Sequence, residues 1–238
     1  MNPLDTTLNR SLDPAAPGTA PRTGSAAAHP PEVQRVLRNT YGLLGLTLLF
    51  SAAVAGGTAA LGLPHPGLLI MLVGTFGLLF ATAKLAHSGW GLVAVFALTG
   101  FMGYTLGPVI GRTLSFPGGA QVVMMALGAT AVTFFALSAY VLTTRRDFSF
   151  MGGFLFAGMV IALLAALGAV FFAVPALALA VSAMVVLLSM GLILFETSRI
   201  VNGGETNYVM ATVGLYVSIF NLFTSLLALF GFGGGGDD

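Results

Sequence analysis

Glu196 is an acidic side chain set inside apolar sequence, LILFETSRIV, and Arg199 follows it three residues later. On a helix that spacing brings the two side chains together on one face. An ionisable residue within a membrane-length apolar run is a functional-site hypothesis by default. Two readings are open. In one, Glu196 lies at the membrane interface, paired with Arg199 or snorkelled toward water. In the other its carboxyl is buried against the following helix, where loss of water makes it a proton- or cation-responsive element. Arg199, Lys84 and Ser218 are the candidate partners for it.

Catalytic groups do not converge elsewhere. His29, His65 and His87 fall in a tail and in two loops on opposite sides of the membrane, so they share no metal site. There is no cysteine, hence no thiolate nucleophile, thiolate metal ligand or disulfide. No nucleophile elbow, no Ser and His pair at one depth and no pair of membrane aspartates is present, so neither enzyme activity nor a cofactor is expected. In the stretch NGGET that follows Arg199, Asn202, Gly203 and Gly204 end one helix, and Glu205 and Thr206 suit the positive end of the next. Its glycines are flanked by acid rather than by Lys or Arg, which does not suit a phosphate cradle.

The elements that position Glu196 follow from composition. Of 238 residues 57% are hydrophobic and 7% charged, against roughly 25% charged in soluble domains. Apolar blocks longer than the roughly 18–20 residues that cross a bilayer recur from Tyr41 onward. The chain therefore reads as an all-α integral membrane protein in contact with lipid. Residues 1–31 are rich in Pro, Ala, Thr and Ser and contain no signal-peptide core, which predicts a disordered tail ahead of a membrane domain over 32–238. A net charge of +1 gives no reason to expect a nucleic-acid partner.

Seven spans are expected, over about 41–62, 68–86, 90–107, 121–143, two within 148–196 and the last over 207–230. Pro108 and the loop GRTLSFPGG should close the third. The long apolar run needs a tight turn between Gly168 and Pro175, with Pro175 in the first turn of the sixth helix. With a cytoplasmic N-terminus, Arg10, Arg22, Arg35, Arg38, Lys84, Arg145, Arg146 and Arg199 all lie inside and Arg112 alone outside, as the positive-inside rule asks. The C-terminus is then periplasmic. Gly100, Gly103 and Gly107, and likewise Gly158, Ala162 and Ala165, fall at helix-packing spacing. In the seventh span Asn207, Ala211, Gly214, Ser218, Asn221 and Ser225 alternate steps of four and three, drawing a small, polar stripe along one face. Such a stripe is hidden from lipid, so this helix is expected at the centre of the bundle.

The runs VLRNTY (36–41), LTGFMGYTLGP (98–108), SAYVLTTRRDFSFMGG (138–153) and FETSRIVNGGETNYVMATVGLYVSIFN (195–221) resemble the Bax inhibitor, or transmembrane Bax-inhibitor-motif, family. The likeness extends over residues 32–231 and is closest to the bacterial branch that modulates the membrane-bound AAA protease FtsH. It implies six helices wrapped around a central seventh, in the bacterial inner membrane with the N-terminus in the cytoplasm, and FtsH as partner. It also implies an alternative, a pH-sensitive cation or calcium leak. Leak-type members use a carboxylate late in helix six and another in helix seven as a latch. The first position matches Glu196; the second is Ser218, where the leak pattern has aspartate. Two carboxylates can share a proton, which a carboxylate and a hydroxyl cannot do, and the pattern here favours the protease modulator. The expected polar core is then Glu196, Ser218, Arg199, Asn207 and Asn221.

Overall fold

The computed structural model describes residues 31–233, and within them the chain is all-helical. Its α-helices are α1 (Pro31–Ala60), α2 (Leu68–Leu85), α3 (Trp90–Leu114), α4 (Gly119–Thr144), α5 (Gly152–Phe171), α6 (Pro175–Val201) and α7 (Tyr208–Gly233), with a 3-10 turn, Ser149–Met151, before α5. Seven helices are long and apolar enough to cross a membrane. Hydrocarbon offers backbone groups no partner, and a helix satisfies them within its own segment. Apart from Pro31, which begins α1, the expected N-terminal tail lies outside the described residues, and so do residues 234–238.

The connections follow local chemistry. Between α5 and α6 the chain turns through Ala173 at φ 51°, and Pro175 opens α6, where its missing N–H costs nothing. At the other end of α6, Gly203 takes φ 76° and the Gly204 N–H donates to the Arg199 carbonyl at 2.8 Å. This is the glycine-terminated helix end that satisfies a last-turn carbonyl. One boundary differs from expectation. Pro108 does not close the third span; α3 runs through it to Leu114, and the chain turns at Gly118, φ 74°. A proline removes one intrahelical bond, and a membrane helix continues past it where local adjustment satisfies the freed carbonyl.

α7 packs against α1, α3, α4 and α6, while α2 leans mainly on α3 and α5 on α6. The expected ring of six helices around a seventh is therefore not confirmed: four helices line α7, and α2 and α5 stand behind two of them. The difference has a simple physical cause. α5 carries no polar side chain, and Thr82 is the one buried residue of α2, so lipid covers both helices as well as protein would.

The closest helix contact is between α1 and α3 at the expected glycines. A Cβ on Gly103 would lie 2.5 Å from the Ser51 carbonyl oxygen, and one on Gly107 would lie 2.8 Å from that of Ala55. On the other flank Gly158 of α5 admits the Leu188 side chain of α6. Polar side chains then tie the pairs to α7. The Tyr216 hydroxyl meets Ser51 Oγ at 2.6 Å and donates to the Thr99 carbonyl at 3.3 Å. Thr212 Oγ1 donates to the Tyr208 carbonyl of its own helix at 2.7 Å and also lies 3.3 Å from the Thr40 carbonyl of α1.

Because the obstacle at Gly103 is backbone, no rotamer change relieves it. Gly103→Ala is expected to destabilise the bundle by about 1–3 kcal/mol, as overpacking does. Thermal unfolding of the full chain in detergent reads this out, and an unchanged midpoint would contradict the close approach.

Candidate functional site at the junction of α6 and α7

The last two turns of α6 present successive residues to different neighbours. Phe195 packs on Gly152 at the start of α5, and Glu196, about 100° further round the helix, faces α7. A Cβ on Gly214 would lie 2.7 Å from the Glu196 Cδ and within 2.9 Å of both carboxylate oxygens. The carboxyl thus occupies the space that a side chain at Gly214 would need. Its exposure is 15%, so Glu196 is neither fully enclosed nor snorkelled free. It is tucked against the small stripe of α7.

Arg199 is shared between two acids. Its guanidinium lies 3.7 Å from Glu196 Oε2 and donates to Glu205 Oε2 at 3.1 Å. Glu205, assigned to capping alone by the sequence reading, holds the shorter pair. The guanidinium also rests over the Phe195 ring, 5.5 Å from its centroid, a cation–π placement that keeps it at the helix end. Lys84 does not join the group; its ammonium lies over Phe80, 4.9 Å from the ring centroid.

Asn207 is the N-cap of α7. Its Oδ1 accepts from the Val209 and Met210 N–H groups at 2.9 and 3.3 Å, which satisfies donors that a helix start leaves open. Its Nδ2 donates to the Ala86 carbonyl at 2.9 Å and lies 3.3 Å from His87 Nδ1, while its own N–H donates to Glu205 Oε1 at 2.9 Å. A continuous chain of contacts therefore runs from His87 through Asn207, Glu205 and Arg199 to Glu196. It ties the loop after α2 to the α6–α7 hairpin. The neighbouring loop is secured to the same helix end, for Ser198 Oγ accepts from the Phe148 N–H at 2.9 Å and from Asn202 Nδ2 at 3.2 Å. Hydrogen bonds from Ser149, and a weaker one from Ser198, hold the exposed Asp147 carboxyl below its ordinary pKa.

The remaining stripe residues behave differently. Ser218 is buried, but its hydroxyl donates to the carbonyl of Gly214 at 2.9 Å, and among the described residues no hydrogen bond joins it to Glu196. Asn221 is half-buried, further along α7 and away from the ion pairs. Of the five expected polar-core residues, Glu196, Arg199 and Asn207 form one connected group, and Ser218 is linked to it only through Gly214. Sequence reasoning missed Tyr216 and Ser51. The signal for Tyr216 was present as a lone hydroxyl-bearing aromatic in the middle of an apolar helix, since a buried tyrosine usually finds a partner.

Gly214→Ala is expected to displace the Glu196 carboxyl, since the end of a flexible side chain gives way before backbone does. The cost should fall near the lower end of about 1–3 kcal/mol and should shrink when Glu196 is already alanine, because contacting sites couple. A double-mutant cycle on detergent unfolding midpoints measures this; additive effects would contradict the contact.

The family model for the inhibitor of apoptosis-promoting Bax1 matches residues 33–235. An uncharacterized protein of Pseudomonas aeruginosa is 55% identical over 213 residues, 90% of this chain and 96% of the relative. The Escherichia coli K12 protein named modulator of FtsH protease YccA is 55% identical over 198 residues, 83% of this chain and 90% of the relative. Its counterpart in Escherichia coli O6:H1, named inner membrane protein YccA, matches to the same extent. With its seven apolar helices and a match spanning residues 33–235, the chain belongs to the Bax inhibitor family.

Proposed function

We propose that this protein is an inner-membrane modulator of the AAA protease FtsH, restraining it as an inhibitor or a competing substrate, and that it is not itself an enzyme. The observation that carries this reading is the 55% identity to the Escherichia coli modulator over 83% of the chain. The name of the second Escherichia coli relative supports the inner membrane as its location. A cytoplasmic N-terminus and periplasmic C-terminus fit the charges. Arg35, Arg38, Lys84, Arg145, Arg146 and Arg199 lie at helix ends on one side of the bundle and Arg112 on the other, the bias that orients membrane helices.

A restraint of this kind needs a segment to be gripped and a body that resists extraction. The composition of residues 1–31 supports the first role, since the segment holds no run of bulky apolar residues and is on the side proposed to face an ATP-driven protease. The second is supported by the polar ties of α7 to α1, α3 and α6 through Thr212, Tyr216 and the Glu196–Gly214 contact. A variant lacking residues 2–30 should persist in membranes containing FtsH and should no longer slow the degradation of a second substrate. Degradation and competition at the full-length rate would overturn the gripped-tail mechanism.

The leak reading has one observation in its favour, the Glu196 carboxyl lodged against α7. Against it, the latch position on α7 is a serine bonded to its own helix, so no second carboxylate there can share a proton with Glu196. In vesicles loaded with a calcium- or pH-sensitive dye, Glu196→Gln is expected to leave ion flux unchanged. A flux abolished by that substitution would favour the leak.

A further inference from the structure

Within a helix, a serine or threonine hydroxyl commonly donates to a carbonyl three or four residues back. Thr82, Thr105, Thr130 and Ser182 all do so here. Thr40, Ser138 and Thr197 do not. Each is at most 3% exposed, and among the described residues none of the three hydroxyls has a protein hydrogen-bond partner; Ser189, about two turns deeper along α6, is likewise buried and unpartnered but lies apart from them. The Tyr41 hydroxyl is buried and unpartnered in the same way.

These groups come from three helices but share one level of the core. Ser138 and Thr197 lie within about two turns of the ends of α4 and α6, on the same side of the bundle. Thr40 lies at that level too, since its carbonyl is 3.3 Å from the hydroxyl of Thr212, in the second turn of α7. The ring of Tyr41 lies 6.1 Å from that of Phe134, one turn along α4 from Ser138. On α6, Phe195 faces α5, Glu196 faces α7 and Ser198 bonds the loop after α4. Thr197, between the last two in angle, therefore lies on the face of α6 between α7 and the loop after α4.

A buried hydroxyl without a partner forfeits hydrogen bonding it would have in water, and native interiors rarely accept this. Several at one level call for a common partner, and a buried water makes roughly two to four hydrogen bonds to such groups. We propose that Thr40, Tyr41, Ser138 and Thr197 line a buried water-binding site between α1, α4, α6 and α7. Water suits it better than an ion, because four hydroxyls bring no charge to neutralise one. The site is separate from the Glu196 face of α6 and does not depend on the protease reading.

Brief X-ray radiolysis of the full chain in detergent tests the proposal, since hydroxyl radicals form from bound water as well as bulk water. Tyr41 is expected to oxidise, whereas Tyr216, whose hydroxyl is satisfied by Ser51 and Thr99, stays unmodified. Thr197→Val keeps the shape, loses the hydroxyl and should lower Tyr41 oxidation severalfold, with the exposed Tyr140 unchanged. Thr197→Ser, which keeps the hydroxyl, should label Tyr41 like the parent. Tyr41 oxidation as low as that of Tyr216 in the parent, or undiminished in Thr197→Val, would overturn the site. Oxidation of Tyr216 in Thr197→Val would report a disturbed fold, and Ser138→Ala then carries the same reading.

Discussion

The approach of Gly103 to the backbone of Ser51 governs the placement of three helices at once. In lipid the helices gain nothing by hiding apolar surface from water, so their association relies on packing and on polar contacts between them. Removing the side chain at Gly103 lets α3 rest on the main chain of α1. That approach brings the Ser51 hydroxyl and the Thr99 carbonyl close enough for Tyr216 of α7 to bond both. With any larger residue the two helices would separate, and the one tyrosine fully buried in the core would lose its partners.

The junction of α6 and α7 obeys the same rule with a charged group in place of backbone. Gly214 yields its space to the Glu196 carboxyl, and Arg199 balances that acid while holding Glu205 more closely. A carboxyl group in such a position is tolerated because a cation stands beside it and it is not fully enclosed. Asn207 extends the contacts to the loop after α2, so the cap of α7 is also the joint between two loops. These polar contacts explain why the FETSRIVNGGETNYV stretch contains all of the chain's charge between residues 150 and 233.

The helices outside this core follow from the solvent. α2 and α5 have little polar surface to hide and stand where lipid covers them. Around α7 the reverse holds, for its Thr212, Ser218 and Ser225 are all buried. The fold thus sorts helices by how much polarity they must keep from hydrocarbon, which is the opposite of the sorting that water imposes.

Span number, the turn before Pro175 and the glycine-ended α6 were legible in residue order, because bilayer thickness and backbone conformation act over short stretches. The small faces of α3 and α7 were legible too, as periodic patterns. Residue order did not reveal that α3 continues past Pro108, since the outcome depends on whether surrounding structure satisfies a freed carbonyl. Nor could it show that Arg199 sits closer to Glu205 than to Glu196, or that α2 and α5 stand behind the helices lining α7. Those outcomes are settled by distances between residues far apart in the chain, and periodicity names a face without naming what the face meets. Glu196 shows the division clearly: its burial could be suspected from the apolar residues around it, but only the packed helices put its carboxyl in the space left by Gly214.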